Sequence, residues 1–240
     1  MTSGRARWRS WVNKSYKVLI FDWDGTLVDS IGRIVESITV AAVRCDLPPL
    51  DEVTIKGIIG LGLPEAVSAL YPHVTDLREV DAFRHAYAEH YLQLEAEPSS
   101  LYPGVAHWLD LFRDQGYLLA VATGKGRRGL DRVLQGQGWM DFFDVTRCAD
   151  ETASKPDPQM IHEILAHCEV PPEQALMIGD SVFDLEMASR AGVDSVAVSY
   201  GAQAVDVLRS YSPCMVIDHF SELGGWLRSG GSAEVVANVG

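Results

Sequence analysis

The first sustained apolar run of the chain, Val18-Leu19-Ile20-Phe21, is too short and too β-branched for a helix and reads as a buried strand. Beyond it the period changes. Ile31, Ile34, Val35, Ile38 and Ala42 recur at helical spacing. "DLPPLDEV" then breaks the pattern, and "GLGLPEAVSALY" predicts a glycine-rich turn entering another helix, with Pro64 suited to its first turn. "DAFRHAYAEHYLQLEA" predicts a third amphipathic helix, and "EPSSLYPG" carries the turn residues of a boundary.

From that boundary onward, strands and helices alternate. "VAHWLDLFRDQG" is a predicted helix closed by Gly116, and "YLLAVAT" a predicted strand. "RRGLDRVLQGQG", "PQMIHEILAHC" and "LEMASRAG" read as helices; "FFDVTRCAD", "ALMIGD", "DSVAVSYG" and "CMVID" read as strands. The closing "GGWLRSGGSAEVVANVG" reads as frayed, and no internal repeat is visible. Buried strands alternating with helices predict an α/β fold, a mostly parallel sheet flanked by helices on both faces. The expected division is an α/β core of residues 15–31 and 98–226, a helical cap of 32–97, and flexible termini at 1–14 and 227–240. Such an insertion sits over the carboxyl ends of the strands, where open α/β sheets bind ligands, so it is expected to act as a lid.

Composition narrows the function classes. At 240 residues the chain suits one α/β domain with a sizeable insertion, and 47% hydrophobic residues set it apart from disordered chains. A net charge of −13 argues against a nucleic-acid partner. The four cysteines form no CxxC pair, which predicts reduced thiols and a cytoplasmic protein. No apolar stretch approaches the roughly 18 residues of a membrane span, so no membrane partner is expected. The basic N-terminal "RARWRSWVNK" lacks an apolar h-region and reads as a mobile leader. A monomer or weak homodimer is expected.

The chemistry lies at the strand ends. Asp22 and Asp24 follow the first strand, Thr123 and Gly124 follow "YLLAVA", and "MIGDSVFD" supplies Asp180 and Asp184. "SKPDP" puts Lys155 in a loop before a helix, where Pro156 is expected to hold it extended. Two like charges about 4 Å apart cost roughly 4 kcal/mol at an effective dielectric of 20, so converging carboxylates require cations. Lys155 is one; a hard divalent ion such as Mg²⁺ suits the oxygen ligands. This set fits phosphoryl transfer. A carboxylate can attack phosphorus, Thr123 and the amides near Gly124 can cradle the phosphate oxygens, and Lys155 can neutralise another. Asp24 can protonate the leaving alcohol and then deprotonate water.

Other polar residues have structural readings. Asp29 and Ser30 are expected to cap the first inserted helix, and Asp157 and Pro158 to start the helix after Lys155. Ser181 and Asp184 have capping-box spacing, compatible with a metal role for Asp184. Arg33, Lys56, Arg127 and Arg128 could contact a substrate anion but read first as solvated surface, and the seven histidines form no ligand-like cluster.

With these motifs in order, the chain resembles the haloacid dehalogenase-like (HAD) hydrolases, in the branch of phosphoglycolate phosphatases and β-phosphoglucomutases. "DWDGTLVDS", "VATGK", "SKPDP" and "GDSVFD" match the four motifs of that family, and the resemblance covers about residues 16–220. It implies a Rossmann-like core with a helical cap, and a Mg²⁺-dependent phosphatase acting on a small phosphorylated metabolite through an aspartyl-phosphate. It implies that Asp22 is the nucleophile and Asp24 the acid/base, with Thr123, Gly124 and Lys155 on the phosphate. Asp22, Asp180, Asp184 and the backbone carbonyl of Asp24 would hold the metal. "GIIGLGLPEA", with Gly60, Leu61 and Gly62, is the part of the cap expected to face the substrate, because glycines let backbone approach closely. A phosphomutase on the same scaffold and a phospho-accepting signalling receiver are the alternatives. Carbon–halide hydrolysis is disfavoured, because it needs no acid at Asp24.

Overall fold

Val18–Phe21 forms strand β1, buried along its whole length inside a six-stranded sheet. The structure, a computed structural model, describes residues 15–96 and 98–230. The other strands are β2 (Leu118–Thr123), β3 (Val145–Cys148), β4 (Ala175–Gly179), β5 (Asp194–Val198) and β6 (Met215–Ile217). Their order is β3-β2-β1-β4-β5-β6 and every pairing is parallel. Phe21 pairs with Val121 on one side and Ile178 on the other, so β1, β2 and β4 finish side by side.

Period-2 geometry divides the core into two layers. Leu19 and Phe21 face α5 (Val105–Asp114), α6 (Arg127–Gln137) and α10 (Phe220–Arg228), packing with Val105, Leu109, Phe112, Leu134 and Phe220. Val18 and Ile20 face α7 (Gln159–Cys168) and α8 (Val182–Ala191), packing with Met160, Ile164 and Met187. The central strands β1, β2 and β4 are apolar on both sides because each side is covered, whereas β3 at the sheet edge carries Thr146 and Arg147 half-buried.

Between β1 and β2 the chain makes α1 (Ile31–Arg44), α2 (Glu52–Lys56), α3 (Leu63–Leu70) and α4 (Leu77–Leu94). These helices bury their own cluster, including Ile38, Ile55, Val67, Tyr71 and Phe83. Two details depart from the sequence pattern. The stretch that breaks the first helix holds the short α2, whose first turn is closed by Asp51 accepting the Thr54 N–H at 2.8 Å. Helix α4 starts before the periodic segment, with Asp76 accepting the Arg78 N–H at 2.9 Å.

In the core, α9 (Val205–Arg209) and a 3₁₀ turn at Pro172–Gln174 complete the elements among the described residues. The expected frayed end is a correction. Phe220–Arg228 is helical with Trp226 and Leu227 buried, so Leu227 belongs to the packed core and Arg228 ends the helix exposed. Its glycine pair misleads: a Cβ on Gly224 would run into the Trp108 ring, so glycine there allows α10 to lie close on α5. The expectations for residues 1–14 and 231–240 lie outside the described residues. Among the described residues, no helix is long and apolar enough to cross a membrane.

Candidate active site

At the end of β1 the Asp22 N–H is donated to the Ile178 carbonyl at 2.9 Å, extending the strand pairing by one residue. The chain then reverses. Gly25 has φ +84° and donates its N–H to the Val28 carbonyl, and Trp23 is buried in the core. A Cβ at Gly25 would collide with the Asp180 carboxylate, so two reasons require glycine here.

Lys155 is 1% exposed, which excludes an ordinary surface lysine. Its Nζ donates to Asp22 Oδ1 at 2.7 Å and to Asp184 Oδ1 at 2.6 Å. The Lys155–Pro156 peptide is cis. Pro158 occupies the N-cap of α7, one residue before the expected first turn, and Asp157 accepts the Gln159 N–H at 2.9 Å. Asp184 sits in the first turn of α8, and the expected capping box with Ser181 is present. The Ser181 hydroxyl donates to Asp184 Oδ2 at 2.7 Å. Asp180 accepts from the Thr26 hydroxyl at 3.3 Å and from the Ala202 N–H at 2.7 Å.

Asp22, Asp180 and Asp184 each offer a carboxylate oxygen, all within 4.8 Å of one another and all buried. Burial pushes the Asp22 carboxyl up to about 7; Lys155 opposes that rise, and Asp184 and Asp24 add to it. Burial, then Asp22 and Asp184, also push Asp180 well above the usual carboxylate range. Burial acts against the Lys155 charge, but Asp184 and Asp22 outweigh it and raise its pKa. One ammonium therefore faces three carboxylates. Among the described residues, buried Asp22 Oδ2 has no hydrogen-bond partner. Positive charge is short at this point, and an oxygen-liganded divalent cation fits the donor set.

Asp24 stands apart from that cluster. Its Oδ1 accepts from the Ser30 hydroxyl at 2.7 Å, and its Oδ2 lies 3.1 Å from Lys125 Nζ. The cap role expected of Ser30 is thus corrected: it occupies the N-cap position of α1, but its hydroxyl serves Asp24 and makes no cap bond. Lys125 is also 3.4 Å from the Tyr91 hydroxyl and 4.7 Å above the Tyr91 ring. Burial acts against its charge, and Asp24 with the tyrosines outweighs it and raises its pKa.

Thr123 ends β2 beside Asp22, is buried, and accepts the Lys125 N–H at 3.1 Å. Gly124 lies beneath the inserted loop: a Cβ there would sit 2.6 and 2.5 Å from the Gly60 and Leu61 carbonyl oxygens. Gly60 has φ +110°, and a Cβ on it would meet Ser181 Oγ at 2.6 Å. Gly62 donates its N–H to Ser154 Oγ at 2.8 Å, and Gln203 donates to the Gly57 carbonyl at 3.2 Å. Arg132 reaches Glu95 at 2.9 Å. The inserted helices are therefore seated on the strand ends.

Beneath them is a cavity of about 540 Å³ whose wall includes Asp22, Asp24, Thr123, Gly124, Gly60 and Leu61. Lys155, Asp180, Asp184 and Gly62 lie outside that wall, with Lys155 and the two carboxylates packed around Asp22. Arg128, read from sequence as surface with a substrate contact as the alternative, is exposed and also in the wall. Arg127 instead turns to Glu151 at 2.6 Å. The sequence reading missed Lys125, Thr26, Ser30 and the Ala202 amide. Lys125 and Ser30 lie within recognisable motifs, but spacing does not reveal that their side chains turn back to Asp24.

Residues 19–198 match the description haloacid dehalogenase-like hydrolase. The chain belongs to that family. It is 35% identical to Probable phosphatase IndB of Dickeya dadantii over 87% of this chain and 92% of that protein. It is 33% identical to the phosphoglycolate phosphatase of Rhodospirillum rubrum, over 88% of this chain and 90% of that one. A solved hydrolase from Pseudomonas syringae shares the fold, with a TM-score of 0.82 at 21% identity, covering 89% of this chain and 98% of that one. As an enzyme, this HAD-like hydrolase stands with the phosphoric monoester hydrolases of the family.

Proposed function

We propose that this HAD-like hydrolase is a Mg²⁺-dependent phosphatase of small phosphorylated metabolites, of the phosphoglycolate or sugar-phosphate type, with residues 32–97 as its cap domain. The observation that carries this reading is the unpartnered Oδ2 of buried Asp22, at the end of β1 and in the cavity wall, while Oδ1 is fixed by Lys155. A carboxylate held by one oxygen and open at the other is placed to attack phosphorus.

In the first step an Asp22 oxygen bonds to phosphorus and the bond from phosphorus to the ester oxygen breaks. Asp24 gives its proton to the departing alkoxide. In the second step a water oxygen bonds to phosphorus, Asp24 takes the water proton, and the bond to Asp22 breaks. Ester and water become alcohol and inorganic phosphate. Thr123 and the amides leading into α6 cradle the phosphate oxygens, at the N-terminal end of a helix. Lys155 fixes Asp22 and balances charge; Ser30 and Lys125 aim Asp24.

The side chains of Asp22, Asp180 and Asp184, with the backbone carbonyl of Asp24, would hold Mg²⁺. When bound it supplies the positive charge that lets an anionic ester approach these carboxylates. Ser181 and Thr26 orient Asp184 and Asp180.

The test is phosphate release from a panel of phosphomonoesters, with Mg²⁺ and with excess chelator. Release with Mg²⁺ that stops in chelator supports the reading; equal release in chelator contradicts the metal assignment. Transfer of phosphate to a second hydroxyl without release of inorganic phosphate would make the enzyme a mutase.

A further inference from the structure

We propose that the alcohol released by this enzyme carries a ring with an apolar or planar face, and that a two-carbon acid such as glycolate is not its natural leaving group. The inference rests on the phosphatase reading and names the substrate class for that same site.

Size is the first argument. Phosphoglycolate has nine non-hydrogen atoms, which at the roughly 30 Å³ a water takes in the liquid fill about 270 Å³. The cavity holds about 540 Å³ with the inserted helices seated. About half of it would remain after phosphoglycolate had bound.

The chemistry of the remainder is the second argument. The phosphate end of the cavity is fixed by Asp22 and Thr123, so the spare volume lies on the side of α1, α3 and α4. Its wall there includes Ile34, Ile38, Leu63, Tyr87, Tyr91 and Leu92. Aliphatic side chains offer water no hydrogen bonds, so water filling this space would be poorly held. An apolar surface placed against them gains about 25 cal/mol for each Å² buried. Tyr87 and Tyr91 stack on each other, with centroids 5.6 Å apart and planes at 24°, and Lys125 Nζ lies 4.7 Å over the Tyr91 ring, so the pair gives this wall a rigidly held aromatic edge. Arg128 and His85, also in the wall and both exposed, suit polar substituents at the outer edge of such a ring. A wall built this way favours a ring with one apolar face and a polar rim, a sugar or nucleoside being the ordinary examples.

The experiment uses the full chain with Mg²⁺ and reads kcat/KM from phosphate release. The substrates are ethyl phosphate, hexyl phosphate, phenylethyl phosphate, a nucleoside monophosphate and phosphoglycolate. The primary alcohols of this series differ little in acidity, so differences report binding of the leaving group. Phenylethyl phosphate should exceed ethyl phosphate by about ten-fold or more, the range for one or two well-buried apolar groups, and phosphoglycolate should fall below the ring-bearing esters. Ala88 lies on the cavity face of α4 and is exposed, so Ala88→Trp fills the spare volume from a position with little folding cost. That variant should lower the ratio of phenylethyl to ethyl phosphate about ten-fold, through KM. Phosphoglycolate as the best substrate, or a ladder that is flat in both proteins, overturns the inference while the phosphatase reading stands. No phosphate release from any of these esters, nor from para-nitrophenyl phosphate, overturns the phosphatase reading and the inference with it.

Discussion

Replacing Lys155 by methionine isolates the charge balance at the centre of the site. The ammonium holds Asp22 and Asp184 at 2.7 and 2.6 Å, and methionine keeps much of the apolar stem while removing the charge. Losing one partner of a buried ion pair costs roughly 3–5 kcal/mol, and here the lost partner serves two carboxylates. The cost also depends on pH, with a definite sign. Burial places the Asp22 carboxyl at about 7, with Lys155 opposing the rise, so deleting the lysine moves it higher still. A carboxyl raised in the folded state contributes its stability fully below the unfolded value and loses it as pH climbs through the folded one. In metal-free buffer the wild type therefore weakens as pH rises through about 7. The variant keeps weakening above that, by at most about 1.4 kcal/mol per pH unit for each proton. The stability gap should widen from about pH 6 to about pH 8. Urea unfolding with chelator at several pH values measures it. A gap below about 1 kcal/mol, or one that stays flat or narrows as pH rises, refutes the assigned charge balance.

Three further outcomes follow from the geometry. Asp24→Asn should lower kcat for alkyl phosphates by roughly 10²–10⁴ and spare the first-turnover burst of para-nitrophenol from the aryl ester, whose leaving group needs no proton, while later turnovers slow because Asp24 also takes the water proton; an equally slowed burst would remove the acid role. Lys125→Met, which frees Asp24 Oδ2 and the Tyr91 hydroxyl, should cost roughly ten-fold or more in kcat for alkyl esters with a smaller change in KM; an effect confined to KM would make Lys125 a substrate contact instead. Gly60→Val combines φ +110° with a clash against Ser181 Oγ, so it should unseat the inserted loop and raise KM for phenylethyl phosphate more than for ethyl phosphate; equal effects on both would place the loop in the phosphoryl-transfer machinery.

Much of the fold was legible in the sequence because parallel strands covered on both faces appear as short apolar runs, and each clear run ends beside a chemically distinctive residue. That is how Asp22, Asp24, Thr123 and Asp180 could be read together before any coordinates. The less legible parts depend on contacts distant in sequence. Helix α2 has only five residues and is held by the Asp51 cap and by burial of Ile55, neither of which creates a helical period. The glycines of α10 read as a frayed end, since the Trp108 ring that needs their small size is on α5. Ser30 has the sequence signature of a cap, yet its hydroxyl lies within 2.7 Å of Asp24. The link from Tyr91 through Lys125 to Asp24 joins three separate segments, and no local pattern encodes it.

The most direct measurement of the central claim is chemical trapping of the acyl phosphate at position 22. Enzyme mixed with an excess of an active phosphomonoester and Mg²⁺ is quenched in acid within the turnover time, reduced with borohydride and digested for peptide mass analysis. An aspartyl-phosphate is reduced to homoserine, whereas a free carboxylate is not. The account predicts homoserine in place of Asp22, absent when substrate is omitted and absent in an Asp22→Asn variant. Homoserine at another aspartate, or active turnover with no reduced residue and with Asp22→Asn still releasing phosphate, would contradict it.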